Sequence, residues 1–267
     1  MNYRPEDHTF AICAYGESPF LEACILSLKA QTVRTGLLIA TSTPSEFIRG
    51  LADRYDIPVF ENPVRRGIGA DWNFAYNHAG TPLITVAHQD DLYEPTYAEQ
   101  MLQDLRRARA PILWFCDYSE LRNGQKVYEN RNLKIKHLML RPLKSRRLQS
   151  SRFVRRRILS LGCPIPCPSV TYVAERAGRQ DIFSTRMKVS LDWDQWERQS
   201  RKQGAFVYCP APLFCHRIHE GSATTALIAN NLRSEEDLIM FRRFWPPFIA
   251  GFLARLYGAS LKSNQLE

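Results

Sequence analysis

The chain has 267 residues, of which 45% are hydrophobic and 24% are charged. This composition is that of an ordinary globular protein and excludes a disordered or fibrous class. The 36 Lys and Arg residues exceed the 27 Asp and Glu residues, giving a formal net charge of +9; this favours an anionic partner such as nucleic acid, a phosphorylated small molecule or an acidic membrane surface. Residues 1–8 are polar and no apolar run reaches about 18 residues, so we expect neither a signal peptide nor a transmembrane helix.

Short apolar segments alternate with amphipathic ones along the first 116 residues. The periodicity predicts strands at 9–14, 37–40, 57–60, 83–87 and 112–116, and helices at 20–30, 46–55, 70–79 and 95–108, with Ser45 capping the second helix. This alternation predicts an α/β fold with a mostly parallel sheet and helices on both faces. Ligands bind such sheets at the C-terminal ends of the strands, so the loops after the strands should line one crevice. These loops follow Ala14, Ala40, Ala87 and Cys116.

A basic segment begins near Asn130. No Asp or Glu occurs between Glu129 and Glu175, whereas Lys and Arg recur from Lys134 to Arg157. A solvated basic helix explains this pattern, and so does a surface for an anionic membrane or for a phosphate-bearing acceptor. Nucleic acid is a further alternative, although too few aromatic residues interleave to stack on single strands.

The rest of the chain has shorter predicted elements. A turn-rich loop at 162–169 precedes a strand at 170–174, a helix at 191–202, extended pieces at 206–209 and 213–217, and helices at 231–244 and 248–261. The last helix has apolar residues on one side: Phe248, Ile249, Phe252, Leu253, Leu256 and Tyr257. This helix either docks on the sheet of the same protein or lies in a membrane interface beside the basic segment.

Seven cysteines lie mostly inside apolar segments. An odd number without an export signal indicates reduced thiols in a cytosolic protein. The alternative is a zinc site built from Cys163, Cys167, Cys209, Cys215 and His216, but their spacings differ from the paired knuckles of structural zinc sites.

Two segments carry residue types that bind phosphates and cations. Asp90 and Asp91 follow the fourth predicted strand, and adjacent carboxylates suit a hard divalent cation that bridges phosphates. The alternative is a solvated turn before a helix, where the helix dipole stabilises acids. Later in the chain, Arg217 and His219 alternate on an extended segment and should point the same way; both residue types bind phosphate, and His also binds metals.

Asp192 lies at the start of the helix predicted at 191–202. Asp194 and Glu197 each precede an arginine by four residues and are expected to form surface ion pairs. Asp194 also points about 200° away from Asp192 around the helix. Asp192 is therefore the acid without an obvious local partner, and it is either a helix N-cap or a reactive group.

Taken in order, these segments resemble glycosyltransferase family 2 enzymes of the GT-A fold, over about residues 10–222. The resemblance rests on Ala14-Tyr15-Gly16-Glu17, the segment from Gly67 to Asp71-Trp72-Asn73, His88-Gln89-Asp90-Asp91, the loop at 162–169, Leu191-Asp192-Trp193, and Arg217-Ile218-His219 with Ser222. Four positions depart from the family. It usually has Asn at Gly16, often Asp at His88 and often Glu at Leu191, and many members carry a base-reading Asp where this chain has Thr41-Ser42-Thr43.

The resemblance implies an inverting, metal-dependent hexosyltransferase that moves a sugar from a nucleoside-diphosphate sugar to a hydroxyl of a saccharide or lipid-linked acceptor. Asp192 would be the catalytic base, and Asp91, Asp90 and His219 would hold Mn²⁺ or Mg²⁺. The implied nucleotide-sugar contacts are Ala14, Tyr15, Gly16, Glu17, Thr41, Ser42, Asn73, Asp90 and Arg217. Ser169 and Trp193 would contact the acceptor, with core packing as the alternative for Trp193. A UDP-sugar is the favoured donor, and dTDP and GDP sugars are the alternatives.

The resemblance also implies a Rossmann-like GT-A domain over residues 1–225, with a nucleotide-sugar half at about 1–120 and an acceptor half at about 121–225. A helical extension would follow over 226–267. We expect a cytoplasmic enzyme of bacterial surface-polysaccharide synthesis with no nucleic acid partner, and peripheral contact with the cytoplasmic face of the anionic inner membrane is a further expectation.

Two other functions stay open. A nucleotidyltransferase would need a Gly-rich, Lys-containing loop after the first strand, whereas residues 14–19 hold one Gly and no Lys. A non-catalytic protein that binds sugar nucleotide, nucleic acid or anionic lipid is the second alternative. Salt-sensitive binding to DNA without a response to sugar nucleotides would favour it.

Overall fold

Nine strands form one sheet in the part of the chain that the computed structural model describes, residues 2–64, 66–219 and 232–263. The strands are β1 (His8–Ala14), β2 (Gly36–Thr41), β3 (Val59–Glu61), β4 (Leu83–His88), β5 (Leu92–Tyr93), β6 (Pro111–Arg122), β7 (Gln125–Val127), β8 (Val170–Val173) and β9 (Ala205–Arg217). Their order is β3-β2-β1-β4-β8-β6-β9-β5, with β7 beside β6. Neighbours among β1 to β4 are parallel, as are β6 and β9, whereas β5, β7 and β8 run antiparallel to their neighbours. The predicted mostly parallel sheet is confirmed.

Helices connect the strands and extend the chain beyond the sheet. They are α1 (Leu21–Lys29), α2 (Glu46–Tyr55), α3 (Ile68–Ala79), α4 (Tyr97–Arg107), α5 (Arg131–Leu140), α6 (Arg146–Gln149), α7 (Arg152–Leu159), α8 (Ala174–Ala177), α9 (Leu191–Ser200), α10 (Leu232–Arg242) and α11 (Pro247–Ser263). The predicted cap of α2 forms, since the hydroxyl of Ser45 accepts a hydrogen bond from the backbone N–H of Ile48 at 3.3 Å.

The sheet separates two large hydrophobic cores. Along β6, Trp114 and Cys116 belong to the core shared with α1, α2 and α4, whereas Leu113 and Phe115 belong to the core shared with α3, α7 and α9. This alternation is the period of two that a strand imposes when both of its faces are covered. Helices on both faces of the sheet, as predicted, are therefore confirmed.

Strands β6 and β9 are longer than the sequence predicts. β6 continues past Cys116, and the two extended pieces predicted at 206–209 and 213–217 form one strand. Two prolines separate these pieces. At this point the register of β9 against β6 shifts: Cys116 of β6 pairs with Cys209, but the next residue of β6 pairs with Pro212. The bulge accommodates residues that cannot complete a regular ladder, so the prolines interrupt the pairing without ending the strand.

The basic segment forms three short helices rather than one, because a 3₁₀ turn over Arg141–Lys144, with Pro142 as its second residue, follows α5, and Ser151 caps α7 afresh. In α7, Arg155 is fully buried. Its Nη2 donates to the carbonyl of Lys202 at 2.7 Å, and its guanidinium lies 5.0 Å from the centre of the Phe206 ring. The alternative of a solvated basic helix therefore fails for Arg155, whereas Arg152 and Arg157 on the same helix are exposed.

The ion pairs predicted on α9 form, but not at the surface as expected. Asp194 and Glu197 each pair with the arginine four positions later, at N–O distances of 2.9 and 2.7 Å. Both acids are nevertheless buried. Arg156 from α7 and Arg243 after α10 reach the same carboxylates, so neighbouring elements cover the acids and remove them from water.

A polar network crosses the buried centre of the sheet. His8 is fully buried, and its Nε2 lies 2.9 Å from the hydroxyl of Thr85. That hydroxyl lies 2.7 Å from the hydroxyl of Thr171, which in turn lies 3.2 Å from the Tyr97 hydroxyl. Burial lowers the pKa of His8 to about 3, so the imidazole is neutral in the folded protein at ordinary pH.

The C-terminal helices share the core of α9. Within the part described, Phe241 of α10 and Tyr257 of α11 pack against Trp193. On α11, Phe248, Phe252 and Leu256 recur every four residues and are 77%, 62% and 53% exposed; we call them the outer stripe. The helix therefore docks on the protein through one edge and leaves apolar side chains in solvent along another.

The domain boundary predicted at 225/226 and Ser222 lie outside the described residues. In the ranges that are described, no helix has the length and apolar character needed to cross a membrane.

Candidate active site

A cavity of about 1100 Å³ opens at the C-terminal ends of β1, β2 and β4. Its wall includes Tyr15, Ser42 and Gln89, which come from the loops after these strands. The predicted shared crevice is confirmed for these three loops. It is wrong for the loop after Cys116, because β6 continues and contributes Tyr118 from within the strand.

Asp91 is the most buried acid of the cavity wall, at 1% exposed. Its Oδ1 accepts a hydrogen bond from the backbone N–H of Arg217 at 2.9 Å and lies 3.0 Å from Nδ1 of His216. Its Oδ2 is buried and has no hydrogen-bond partner among the described residues. One carboxylate oxygen is thus fixed by the protein, and the other is left to accept a ligand.

Asp90 is held from two directions. Its Oδ1 accepts a hydrogen bond from the hydroxyl of Ser18 at 2.8 Å, and its Oδ2 lies 3.3 Å from Nε2 of His219. The Nε of Arg217 donates to the backbone carbonyl of Asp90 at 2.8 Å, and the Arg217 guanidinium lies over the Phe20 ring, 4.4 Å from its centre. The end of β9 and the start of α1 therefore meet at the acidic pair, which brings Arg217 and His219 to it as predicted.

His216 is a site residue that the motif reasoning missed. Burial lowers its pKa, but the charge and hydrogen bond of Asp91 outweigh burial, and the net pKa is raised. β9 ends at Arg217, so His219 lies two residues beyond the strand, but the two side chains point the same way, as expected, since both reach Asp90. The register of the parallel pairing between β9 and β6 is the signal that could have revealed His216. This register determines which residues of β9 lie at its C-terminal end.

His88 precedes the acidic pair. Its ring stacks on Trp72, with 4.8 Å between the ring centres, and burial lowers its pKa. His88 therefore contributes a neutral aromatic surface to the cavity wall where the family often has a further carboxylate.

The acidic pair fits a hard divalent cation but not a closed protein cage. Among the described side chains, no group of three or more His, Cys, Asp and Glu is arranged to hold a metal ion, so the zinc alternative for the cysteines has no support. Mg²⁺ and similar ions often bind through one or two carboxylates, with substrate phosphates and water completing the shell. The buried, unpartnered Oδ2 of Asp91 matches this mode.

The loop after β1 forms one wall of the cavity through Ala14, Tyr15 and Glu17. The side-chain amide of Gln89 accepts from the backbone N–H of Tyr15 and donates to its carbonyl, each at 2.9 Å. Gly16 has φ +62°, in the left-handed region that Asn tolerates best after glycine. The same backbone requirement accounts for Gly16 where the family usually has Asn.

Three predicted nucleotide contacts lie away from the cavity wall, namely Gly16, Thr41 and Asn73. Asn73 is buried, and its amide donates to the carbonyl of Phe183 at 2.9 Å and accepts from the N–H of Phe183 at 2.8 Å. Thr41 is also buried, and its hydroxyl accepts from the backbone N–H of Thr43 at 3.0 Å. Both side chains hold loops rather than face the cavity.

Asp71 lines the cavity, and the motif reasoning did not select it. Its carboxylate accepts hydrogen bonds from the hydroxyl of Ser42 and the amide of Asn62, both at 3.1 Å. Burial raises its pKa. An acid from α3 thus reaches the loop where Thr41-Ser42-Thr43 replaces the family's Asp.

Asp192 faces the same cavity from the second residue of α9. Its Oδ1 accepts from the backbone N–H of Trp193 at 2.7 Å, and its Oδ2 lies 3.5 Å from the thiol of Cys163. Burial raises its pKa. The helix N-cap is Ser190, so the N-cap alternative for Asp192 does not hold.

The two predicted acceptor contacts are both buried, and Trp193, unlike Ser169, also borders the cavity. Trp193 is 1% exposed; its indole N–H donates to the carbonyl of Leu159 at 2.9 Å, and its ring packs against Phe241. Ser169 is fully buried and donates to the carbonyl of Pro166 at 2.8 Å. For Trp193, the core alternative describes the observed packing.

Part of the cavity wall is apolar. Ile135 and Leu161 border it and are also exposed on the outer surface. Lys136 lies beside them, and its ammonium donates to the Tyr118 hydroxyl at 2.7 Å. The predicted basic segment therefore contributes to the cavity through α5.

Solved structures share this fold at low sequence identity. S. aureus TarS (residues 1–349) in complex with UDP-GlcNAc is 12% identical, with a TM-score of 0.65 over 92% of this chain and 70% of that one. The mannosyltransferase PcManGT from Pyrobaculum calidifontis in complex with GDP-Man and Mn²⁺ is 13% identical, with a TM-score of 0.62 over 95% of this chain and 71% of that one. None of the curated proteins matches the sequence. The profile of glycosyl transferase family 2 matches residues 9–169, more than half of the chain. With this match and the GT-A sheet around the acidic pair, the chain belongs to glycosyl transferase family 2.

Proposed function

We propose that the protein transfers a sugar, with inversion, from a nucleoside-diphosphate sugar to a hydroxyl of a saccharide or lipid-linked acceptor. The observation that carries this proposal is one cavity that holds two kinds of acid: the pair Asp90 and Asp91, and the separate Asp192. The first kind suits a cation and its diphosphate. The second, with a pKa raised by burial, suits a general base.

Asp91, Asp90 and His219 would hold Mg²⁺ or Mn²⁺. When bound, the ion would neutralise the diphosphate leaving group as a Lewis acid. Arg217 adds a positive charge beside the same pair, since its Nε is anchored on the backbone of Asp90. Its guanidinium would bind the diphosphate oxygens.

Asp192 would take the proton from the acceptor hydroxyl as that oxygen attacks the anomeric carbon, on the face opposite the leaving diphosphate. Its Oδ1 is oriented by the backbone N–H of Trp193. This contact and the thiol of Cys163 hold the carboxylate toward the cavity. Trp193 would act by packing beneath the base rather than by stacking on a sugar.

We favour a UDP-sugar as the donor. Of the similar structures, TarS is in complex with UDP-GlcNAc and PcManGT is in complex with GDP-Man, so UDP-sugars and GDP-sugars both occur in this fold. The nucleoside would lie along Ala14, Tyr15 and Ser42. Asp71, held by Ser42, offers a carboxylate that can accept the imide N–H of a uracil ring.

Metal-dependent stabilisation by nucleotides tests this function. UDP with Mn²⁺, at 100 times its Kd, should add about 2.7 kcal/mol to the free energy of unfolding. We expect Asp91→Asn to lose the metal-dependent part, whereas Asp53→Asn, at an exposed position on α2, should keep it. The measurement is thermal unfolding with UDP, dTDP or GDP, each with and without Mn²⁺. No shift with any of the three nucleotides would contradict the proposal and favour the non-catalytic alternative, to be tested with nucleic acid and anionic lipid.

We further propose that the protein lies at the cytoplasmic face of an anionic membrane, in polysaccharide synthesis. The outer stripe of α11 is exposed. Phe153 on α7 is 70% exposed, and the guanidinium of Arg157 lies near both its ring and that of Trp245, which precedes α11. Apolar side chains beside exposed arginines suit an anionic interface. Leu161, which lines the cavity, is also exposed on the outer surface.

A vesicle experiment tests the membrane contact. We expect the protein to cosediment with anionic but not neutral vesicles at low salt, and to be released as salt rises. Each Phe removed from an interface costs roughly 1.5–3 kcal/mol, so Phe248→Ser with Phe252→Ser should weaken binding at least about 100-fold. The control is Ile239→Ser, which changes an apolar residue on α10 that is 47% exposed. Equal binding by the double variant and the control would exclude the stripe as the contact.

A further inference from the structure

Glu236 on α10 binds the turn that precedes Asp192. Its Oε1 accepts a hydrogen bond from the backbone N–H of Lys188 at 2.7 Å. Its Oε2 accepts from the backbone N–H groups of Val189 and Ser190, both at 2.8 Å. One carboxylate therefore holds three consecutive amides, the last of which belongs to the N-cap of α9.

The setting makes these hydrogen bonds strong. Glu236 is 5% exposed, and a buried carboxylate is costly unless hydrogen bonds satisfy it. Hydrogen bonds to a charged acceptor are also shorter and stronger than neutral ones. Asp237 adds a fourth contact, because its Oδ1 accepts from the hydroxyl of Ser190 at 3.1 Å. Helix α10 thus holds the start of α9 through two neighbouring acids.

The turn, and not Glu236, forms the cavity wall. Lys188, Val189 and Ser190 line the cavity together with Asp192, whereas Glu236 does not. Glu236 therefore has no direct route to a bound substrate. Its effect on the site must pass through the backbone that it holds.

We propose that Glu236 is the positioning residue for Asp192, fixing the 188–190 turn so that the carboxylate two residues later is aimed at the acceptor hydroxyl. This inference rests on the proposed role of Asp192 as the base. Displacing a reacting group by about 1 Å can cost roughly 10²-fold in rate, so a contact that fixes the turn has a measurable effect. Glu236 lies outside the residues that match the family profile. Its positioning role would give the C-terminal helices a part in catalysis.

Glu236→Gln tests the proposal, with Glu235→Gln as the matched control at an adjacent exposed position. Gln keeps the size but presents one oxygen and an N–H₂ donor, so it cannot accept from all three amides. We expect kcat to fall about 10- to 100-fold while the KM for the donor and the nucleotide-dependent thermal shift stay unchanged, because Asp90 and Asp91 lie on another element. An unchanged kcat, or a donor KM that rises in parallel, would overturn the positioning role.

Amide hydrogen exchange tests the contact independently of activity. In the wild type the amides of residues 188–190 should be protected, and in Glu236→Gln they should exchange faster while those of β1 and β4 stay as slow as before. Equal exchange in both proteins would overturn the inference. If Glu236→Gln does not fold, Glu236→Asp keeps both oxygens on a shorter side chain and should give a smaller change of the same sign. If the wild type protects these amides but transfers no sugar, only the proposed function is refuted. Faster exchange in Glu236→Gln would still establish that Glu236 holds the turn.

Discussion

Asp192→Asn is expected to lower the rate of sugar transfer by roughly 10²–10⁴-fold, the range that general base catalysis contributes. The amide is the same size but cannot take the acceptor proton. Donor binding should persist, because Asp90, Asp91 and Arg217 are untouched. Burial raises the pKa of Asp192, so the wild-type rate should fall on the acid side at a pH above about 3.9, the ordinary value of an aspartate.

The measurement is transfer from the nucleotide sugar that stabilises the protein, followed over a range of pH, together with donor binding by thermal shift. Asp53→Asn again serves as the control. Full activity of Asp192→Asn would exclude this residue as the base. Loss of donor binding along with the rate would instead place Asp192 in the donor site.

Acid is expected to destabilise the fold through His8. The pKa of His8 is about 3 in the folded protein, against an ordinary value of 6.5, so the unfolded chain takes up the proton first as the pH falls. The contribution of the neutral imidazole is therefore fully present above pH 6.5 and is lost progressively between pH 6.5 and about 3. At about 1.4 kcal/mol per unit, the loss amounts to roughly 4–5 kcal/mol.

Denaturant unfolding at several pH values between 7 and 4 measures this loss. His8→Gln cannot titrate, so its free energy of unfolding should fall less steeply with pH than that of the wild type. His78→Gln, which removes an exposed histidine, is the matched control for the His-to-Gln change itself. Parallel slopes for the wild type and His8→Gln would show that other groups control acid unfolding.

Local signals predicted the sheet well because strands and their connecting helices alternate in the sequence. The acidic pair was predicted for the same reason, since Asp90 and Asp91 lie within three residues of the end of β4. Sequence pattern did not predict contacts made across long separations. His216 reaches Asp91 from β9, and Glu236 reaches the turn before α9 from a later helix. Periodicity describes one element at a time, so it does not identify such partners.

Local spacing also gave wrong predictions of which side chains are buried. The i,i+4 pairs of α9 were predicted from the sequence, but their arginines alone gave no sign that α7 and the end of α10 would cover the acids. The same holds for Trp193 and Ser169, whose place in a motif suggested contact with an acceptor. Both are buried, and each is held by a residue far away in the sequence: Trp193 by the carbonyl of Leu159, and Ser169 by the hydroxyl of Tyr97.

The position of β8 has a consequence for how the chain folds during synthesis. β8 lies between β4 and β6 and pairs with both, although it is made more than 80 residues after β4 begins. Until residues 170–173 leave the ribosome, the backbone groups along one edge of β4 have no partner strand. Unpaired edges of this kind promote aggregation, and pairings between distant residues form slowly. The nascent chain is therefore exposed to misassembly along this edge of β4 while the basic segment is being translated.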